Sequence, residues 1–447
     1  MSVAGAFIVP HPPIIFQEIG RGNEQRIQRT IDAYRKVSGE AAAMLPETVV
    51  ILSPHSVMYR DYFHISPGAG ACGDFRQFGE RELSLRADYD EEFVRELERL
   101  ARDEELPAGT RGEGDAQLDH GTMIPLRFLQ EQMTNFKIVR IGLSGLPLRM
   151  HFRLGKCIAR AAQNLGRRIV VIASGDLSHC LMDTGPYGYT KEGPEYDQRV
   201  TDVMARGSLG ELFDFTEEFC ERAGECGHRS FCIMAGCLAG KPLKSELLSY
   251  EGPFGVGYGV ASFQDAYVAL ARQSLEYYVN SGEMLPLPEG LPEEMLSRRA
   301  GVFVSLKKDG DLRGCIGTIS PCQKNIAMEI IENAVSAGVY DPRFPPVKRS
   351  ELSQLICSVD VLSEPEPIVS ADELDVKRYG VIVSKGRRRG LLLPNLEGVD
   401  TVEQQISIAL QKAGIYDDVY PFLQNGGGRF GEPLPFQMER FEVVRHY

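Results

Sequence analysis

The sequence predicts an α/β protein, a mostly parallel sheet sandwiched by helices, followed by a smaller C-terminal α+β unit. Apolar runs rich in β-branched residues recur early, at GAFIVP, ETVVILS, FKIVRIG and RRIVVIAS. Longer helical patterns separate them, and after SYEGPFGVGYGVASF the character changes to short strands with hairpin-like turns. Strands alternating with helices read as βαβ units, whose strands are covered on both faces and so stay apolar along their length.

Each element follows in order. GAFIVP opens the sheet, and NEQRIQRTIDAYRKVSGEAAAML has the period of a crossover helix. ETVVILS is the next strand, DEEFVRELERLARDE a further helix, and FKIVRIG and RRIVVIAS two more strands. The helix-like DAYVALARQSLEYYVNSG and the Pro-rich EMLPLPEGLPEE mark a change of unit, which divides the chain into residues 1–263 and 264–447. In the second part, GVFVSLKKDGDLRGCIGTI, LICSVDVLS and GVIVSKGRRRGLLLP are strands, with hairpin turns at DG and KGRRRG.

A chain of 447 residues, 43% hydrophobic and 25% charged, is long enough for two cores. Its net charge of −13 argues against general affinity for nucleic-acid backbones or anionic membranes. No run reaches the roughly 18 to 20 apolar residues that span a bilayer, and MSVAGAFIVPHPP lacks a signal peptide's charged n-region, so a cytoplasmic location is expected. The ten cysteines then read as reduced thiols. Cys220, Cys226, Cys232 and Cys237 form the densest group, but without a CxxC pair they read as buried thiols rather than a zinc site.

Three of the eight histidines directly follow strands: His11 in FIVPHPP, His55 in VILSPHS and His179 in VVIASGDLSH. Ligands bind open α/β sheets at the carboxyl ends of the strands, so these imidazoles are expected to share one site. Imidazole with a carboxylate suits iron, zinc or manganese. Glu251, in LLSYEGPFGVGYG, is the candidate acid, with a surface glutamate in a turn as the other reading. His120 follows Asp119 in QLDHGTMIPLRFL and either reaches the crevice or serves a helix entry. His228 reads as a cap or core residue, and His64 and His151 have no convergent polar neighbours.

In the second unit Cys315 is flanked by Arg313, Gly314 and Gly317. A thiol beside a guanidinium can act as a nucleophile, but the unit's only histidine is His446, which leaves a structural cysteine as the better reading. Asp341 and Arg343, in DPRF, either bind a polar ligand or pair with each other. The basic KGRRRG turn reads as a solvated hairpin tip.

Together VPHPP, SPHS, LDHGTMIPL and SGDLSH resemble the class III extradiol ring-cleavage dioxygenases, in the superfamily that includes Memo-like proteins. The resemblance covers residues 1–263. It implies Fe(II) held by His11, His55 and Glu251, with zinc or manganese as other occupants, and dioxygen and a small aromatic diol as substrates. It implies His179 as acid/base, His120 as a hydrogen-bond donor to substrate or oxygen, and Asp176 and Asp119 as acceptors that orient imidazoles. Memo-like relatives imply a different set, in which His179 is a ligand and Glu251 is not. In the second part, LRGCIGTISP, YDPRFPPV and YGVIVSKGRRRGLLLP resemble the AMMECR domain. The combination resembles the fused architecture of AmmeMemoRadiSam systems. That implies a separate radical-SAM partner protein, since this chain has no CxxxCxxC motif, and leaves a metal-binding adaptor as the alternative to an oxidoreductase.

Overall fold

Six strands form the N-terminal sheet: β1 (Val3–Val9), β2 (Thr48–Ser53), β3 (Lys137–Gly142), β4 (Ile169–Ser174), β5 (Leu243–Glu251) and β6 (Tyr258–Asp265). Their order is β3-β2-β4-β1-β6-β5. The first four are mutually parallel, and β6 runs antiparallel to both β1 and β5. In this computed structural model residues 3–112, 114, 117–396, 398–416 and 435–447 are described. They divide into one compact unit ending at Ala266 and a second spanning Tyr267–His446.

Alternate side chains of each central strand enter different cores. Val50 and Leu52 of β2 pack with α2 (Glu91–Asp103), α4 (Leu148–Asn164), α5 (Glu192–Arg206) and α6 (His228–Cys237). Val49 and Ile51 face the other way, towards α1 (Gln28–Ala43) and α3 (His120–Gln130). A strand buried on both faces must be apolar throughout, which is why these runs were legible as sheet. Two-sided burial also fixes register, because a one-residue slip would reverse every side chain.

Helices α4 and α6 cross at a pair of glycines. A Cβ on Gly155 would lie 2.0 Å from the Ile233 carbonyl oxygen, and one on Gly236 would lie 2.1 Å from that of Phe152. Gly155→Ala is therefore expected to force the helices apart and cost about 1–3 kcal/mol, as overpacking does. A urea titration that leaves the midpoint unchanged would show that the crossing is not tight.

The C-terminal unit carries a seven-stranded antiparallel sheet of β7 (Val302–Lys308), β8 (Asp311–Gly317), β9 (Leu355–Leu362), β10 (Glu366–Ile368), β11 (Tyr379–Lys385), β12 (Arg388–Leu392) and β13 (Gln437–His446). Its order is β8-β7-β9-β13-β11-β12, with β10 paired to β13. The unit also holds α7 (Ile326–Val335) and α8 (Val402–Lys412). The DG turn joins β7 to β8 with φ of 53° at Asp309 and 90° at Gly310, the doubly positive geometry that matches strand twist in two-residue hairpins. In the KGRRRG turn, Arg388 donates to the Gly414 carbonyl and Arg389 pairs with Glu439. Among the described residues no helix is long and apolar enough to cross a membrane.

Candidate metal centre

β2, β4 and β1 are neighbours in the sheet, so their carboxyl ends deliver His55, His179 and His11 to one place. The His11 and His55 Nε2 atoms lie 2.9 Å apart. His120, the first residue of α3, stacks on His55 with ring centroids 4.1 Å apart and meets the His11 ring at 5.3 Å. His179 is near enough to His55 and His11 to act electrostatically on both. Phe78 sits edge-on to His120 at 5.2 Å, and the exposed Tyr187 edge-on to His179 at 5.1 Å.

A thiol completes the ligand group. Cys226 Sγ is 3.6 Å from His11 Nε2, and ligand atoms of His11, His55 and Cys226 all lie within 4.8 Å of one another. These separations fit one ion. Two nitrogens bound at about 2.1 Å lie about 3.0–3.4 Å apart as the angle between them opens from a right angle to the tetrahedral one, and over the same range a thiolate sulfur at about 2.3 Å lies about 3.1–3.6 Å from such a nitrogen. Cys226 comes close because its segment meets β4 glycine to glycine: a Cβ on Gly175 would stand 2.1 Å from Gly227 Cα.

Hydrogen bonds fix the ring orientations. His11 Nδ1 bonds Ser174 Oγ at 2.9 Å, leaving Nε2 for the centre. His179 Nδ1 donates to the Gly224 carbonyl, which can only accept, so its Nε2 carries a bare lone pair. His55 is held through its backbone, whose N–H donates to Ser53 Oγ at 3.2 Å. Ser53 in turn donates to Asp119 at 2.5 Å. Ser174→Ala is expected to lower metal affinity about 10–100-fold, the usual effect of losing an imidazole's outer partner. Competition with a chelator of known affinity measures it, and an unchanged constant would remove Ser174 from the site.

Burial holds all four imidazoles neutral. It is the first cause in each case: His11 lies well below its ordinary value and His120 falls to about 4, with His55 and His179 also lowered. The neighbouring imidazoles add to this at His11 and His120, while Asp119 opposes it at His55 and His120. Burial also raises the Cys226 thiol well above its ordinary value, helped by Asp176 and Glu225. A thiol so placed becomes a thiolate only when a cation stands beside it, as metal binding provides.

The structure places the other expected residues as follows. Glu251 does not join the ligand group: its Oε2 accepts from Thr30 N at 2.8 Å and Thr30 Oγ1 at 2.7 Å. It ends β5, two strands beyond β1, and adjacent strands are about 4.8 Å apart. Nor does His179 join it; Cys226 takes the third place among the described residues. Asp176 accepts from the His11 backbone N–H at 2.8 Å, so it fixes the chain and not the ring, and burial raises its carboxyl to about 7. Asp119 caps α3 by accepting from Thr122 N at 2.9 Å and pairs at 3.5 Å with the fully buried Arg140. His228 is a core residue, bonded to the Leu212 carbonyl and Tyr196. In the second unit, Arg313 turns from Cys315 to Glu351, while Asp341 binds Arg343 and the Cys315 N–H.

Sequence reasoning read Cys226 as an ordinary buried thiol, whereas it is only partly buried and stands beside His11 and His55, and it assigned no role to Ser174 or Arg140. The signals were present: a cysteine before a glycine in GECGH, a serine ending RRIVVIAS, and an arginine within the apolar run IVRIG.

Comparison with known proteins agrees with both units. A family model described as the catalytic LigB subunit of aromatic ring-opening dioxygenase matches residues 5–261, and one described as AMMECR1 matches residues 268–424. A Clostridium acetobutylicum protein is 41% identical over 483 aligned residues, covering 100% of this chain and 99% of its own. A Thermotoga maritima protein is 56% identical over 155 residues, 34% of this chain and 89% of that one. The crystal structure of an uncharacterized protein from Pyrococcus horikoshii shares 32% identity with a TM-score of 0.35, covering 40% of this chain and 88% of that one. The chain therefore belongs to the LigB family of aromatic ring-opening dioxygenase catalytic subunits, joined here to a C-terminal AMMECR1 domain.

Proposed function

We propose that the N-terminal unit holds one Fe(II) ion at His11, His55 and Cys226 and opens a small aromatic diol with dioxygen, the C-terminal unit being accessory. When bound, the ion supplies Lewis acidity towards the diol and redox capacity towards dioxygen. The observation that carries this reading is the pair of neutral imidazoles left over after the ligands are counted. His179, with Nε2 bare and Nδ1 tied to the Gly224 carbonyl, is built to take a hydroxyl proton and return it. His120 presents a second neutral ring beside His55, and Phe78 and Tyr187 offer aromatic faces to a planar substrate. A site that only stored a metal would need neither base.

The thiol favours a second reading. Cysteine in place of a carboxylate is a softer donor, suited to zinc or copper(I), and fits a metal-binding component without ring opening, one that works beside a radical-SAM partner. Anaerobic loading with Fe(II), followed by oxygen uptake with a panel of catechols, separates the two. Uptake matched by ring-opened product supports the first; a full complement of metal with no uptake on any diol supports the second.

A further inference from the structure

Two backbone irregularities in the C-terminal unit converge on one thiol. Between β7 and β8, Ser305 pairs with Cys315 and Leu306 with Gly314, but Lys307 pairs with Leu312, so Arg313 is the extra residue of a β-bulge. Bulges re-aim side chains and are common beside active sites. Arg313 is turned onto Glu351, with Nε and Nη2 each 3.1 Å from an oxygen, and its Nη1 is buried without a hydrogen-bond partner among the described residues. Beyond α7 the chain forms a π-turn over Ser336–Tyr340, a rare geometry frequent at functional sites. The two meet directly: a Cβ on Gly314 would lie 2.1 Å from the Ala337 carbonyl oxygen. Asp341, the residue after the turn, then accepts the Cys315 N–H at 2.9 Å.

A hydroxyl, a guanidinium and a carboxylate surround Cys315, which is partly exposed. Ser305 Oγ donates to its sulfur at 3.2 Å. Arg343 is gripped by the buried Asp341, through Nε at 2.9 Å and Nη2 at 2.7 Å, and also donates to the Cys315 carbonyl at 3.0 Å. Its side chain nevertheless remains 54% exposed. Lys412, the last residue of α8, acts electrostatically on both: partial burial and Arg343 push its ammonium down, and Cys315 acts the other way. The half-exposed guanidinium of Arg343 and the ammonium of Lys412 bring positive charge to the neighbourhood of the thiol.

We propose that Cys315 is a reactive nucleophile and that Arg343 and Lys412 select carboxylate-bearing electrophiles for it. Sγ attacks the electrophilic carbon and forms an S–C bond. The bond from that carbon to its leaving group breaks, with the electron pair departing on the leaving group. The thiol proton passes to solvent, and no net oxidation occurs. This site is separate in residues and chemistry from the metal centre, and neither assignment depends on the other.

The test compares iodoacetate with neutral iodoacetamide on the intact protein, reading each cysteine by peptide mass spectrometry, with iodide as leaving group. Exposed Cys322 and Cys72 report the intrinsic preference between the reagents. The iodoacetate-to-iodoacetamide rate ratio at Cys315 is expected to exceed that at the two controls by about tenfold, as a local cationic field provides, and to fall as salt is added. Lys412→Gln, at a helix end, should lower the Cys315 ratio about threefold while leaving both controls unchanged. Failure of Cys315 to react with either reagent, a ratio equal to the controls, or a ratio indifferent to Lys412→Gln would each overturn the proposal.

Discussion

His11→Ala is expected to abolish stoichiometric metal binding in a chain that still folds. The His11 ring contributes one of two nitrogens 2.9 Å apart and also the nitrogen nearest the thiol. Cys226→Ser should weaken binding by more than the roughly 10–100-fold that an outer partner carries, since a hydroxyl replaces the softest donor. Glu251→Gln should leave metal content unchanged, because that carboxylate is engaged with Thr30. His179→Ala should keep the metal and lose about 10²–10⁴-fold in any turnover, the range of a general acid/base. Metal analysis of the four purified variants, with circular dichroism to confirm folding, reads all of this. Loss of metal in Glu251→Gln with retention in Cys226→Ser would restore the carboxylate set.

Arg140→Met is the second large effect, this time on stability. Arg140 is fully buried on β3, where Nε donates to Ser56 at 3.0 Å and Nη1 to the Gln117 carbonyl at 2.7 Å, and its charge faces Asp119. Methionine replaces the stem and not the charge. Asp119 then keeps a largely buried carboxylate without its cation, at a cost of about 3–5 kcal/mol. In a unit of this size each kcal/mol moves the midpoint by about 2–4 °C, so thermal unfolding should fall by about 10 °C. Asp119 also caps α3 and holds Ser53, which holds the His55 backbone, so metal affinity should drop as well. Adding Asp119→Asn should recover part of the stability, because the uncompensated charge is gone. A single variant within about 1 kcal/mol of the parent would show that the pair is not coupled.

Much of the centre was legible because the physics was local and repeated. His11, His55 and His179 each follow an apolar run, and two-sided burial of β1, β2 and β4 leaves those runs one arrangement. Glu251 also ends a strand, but that strand lies two places from β1, an order that nothing in LLSYEGPFGVGYG encodes. Cys226 is 215 residues from His11 and arrives through a loop held by a glycine contact, so no spacing rule reaches it. In the second unit the hairpins were readable from their turn residues, whereas the bulge at Arg313 and the π-turn arise from packing between distant segments.

The centre draws on two kinds of scaffold. Both imidazole ligands stand at the ends of strands whose register is fixed by cores on either side, while the sulfur comes from the short connection leading into α6. A substitution at position 226 therefore leaves the strand register untouched. Exchanging that one side chain for a carboxylate or an imidazole would change the softness of the donor set through one loop alone, with both strand-borne imidazoles left in place.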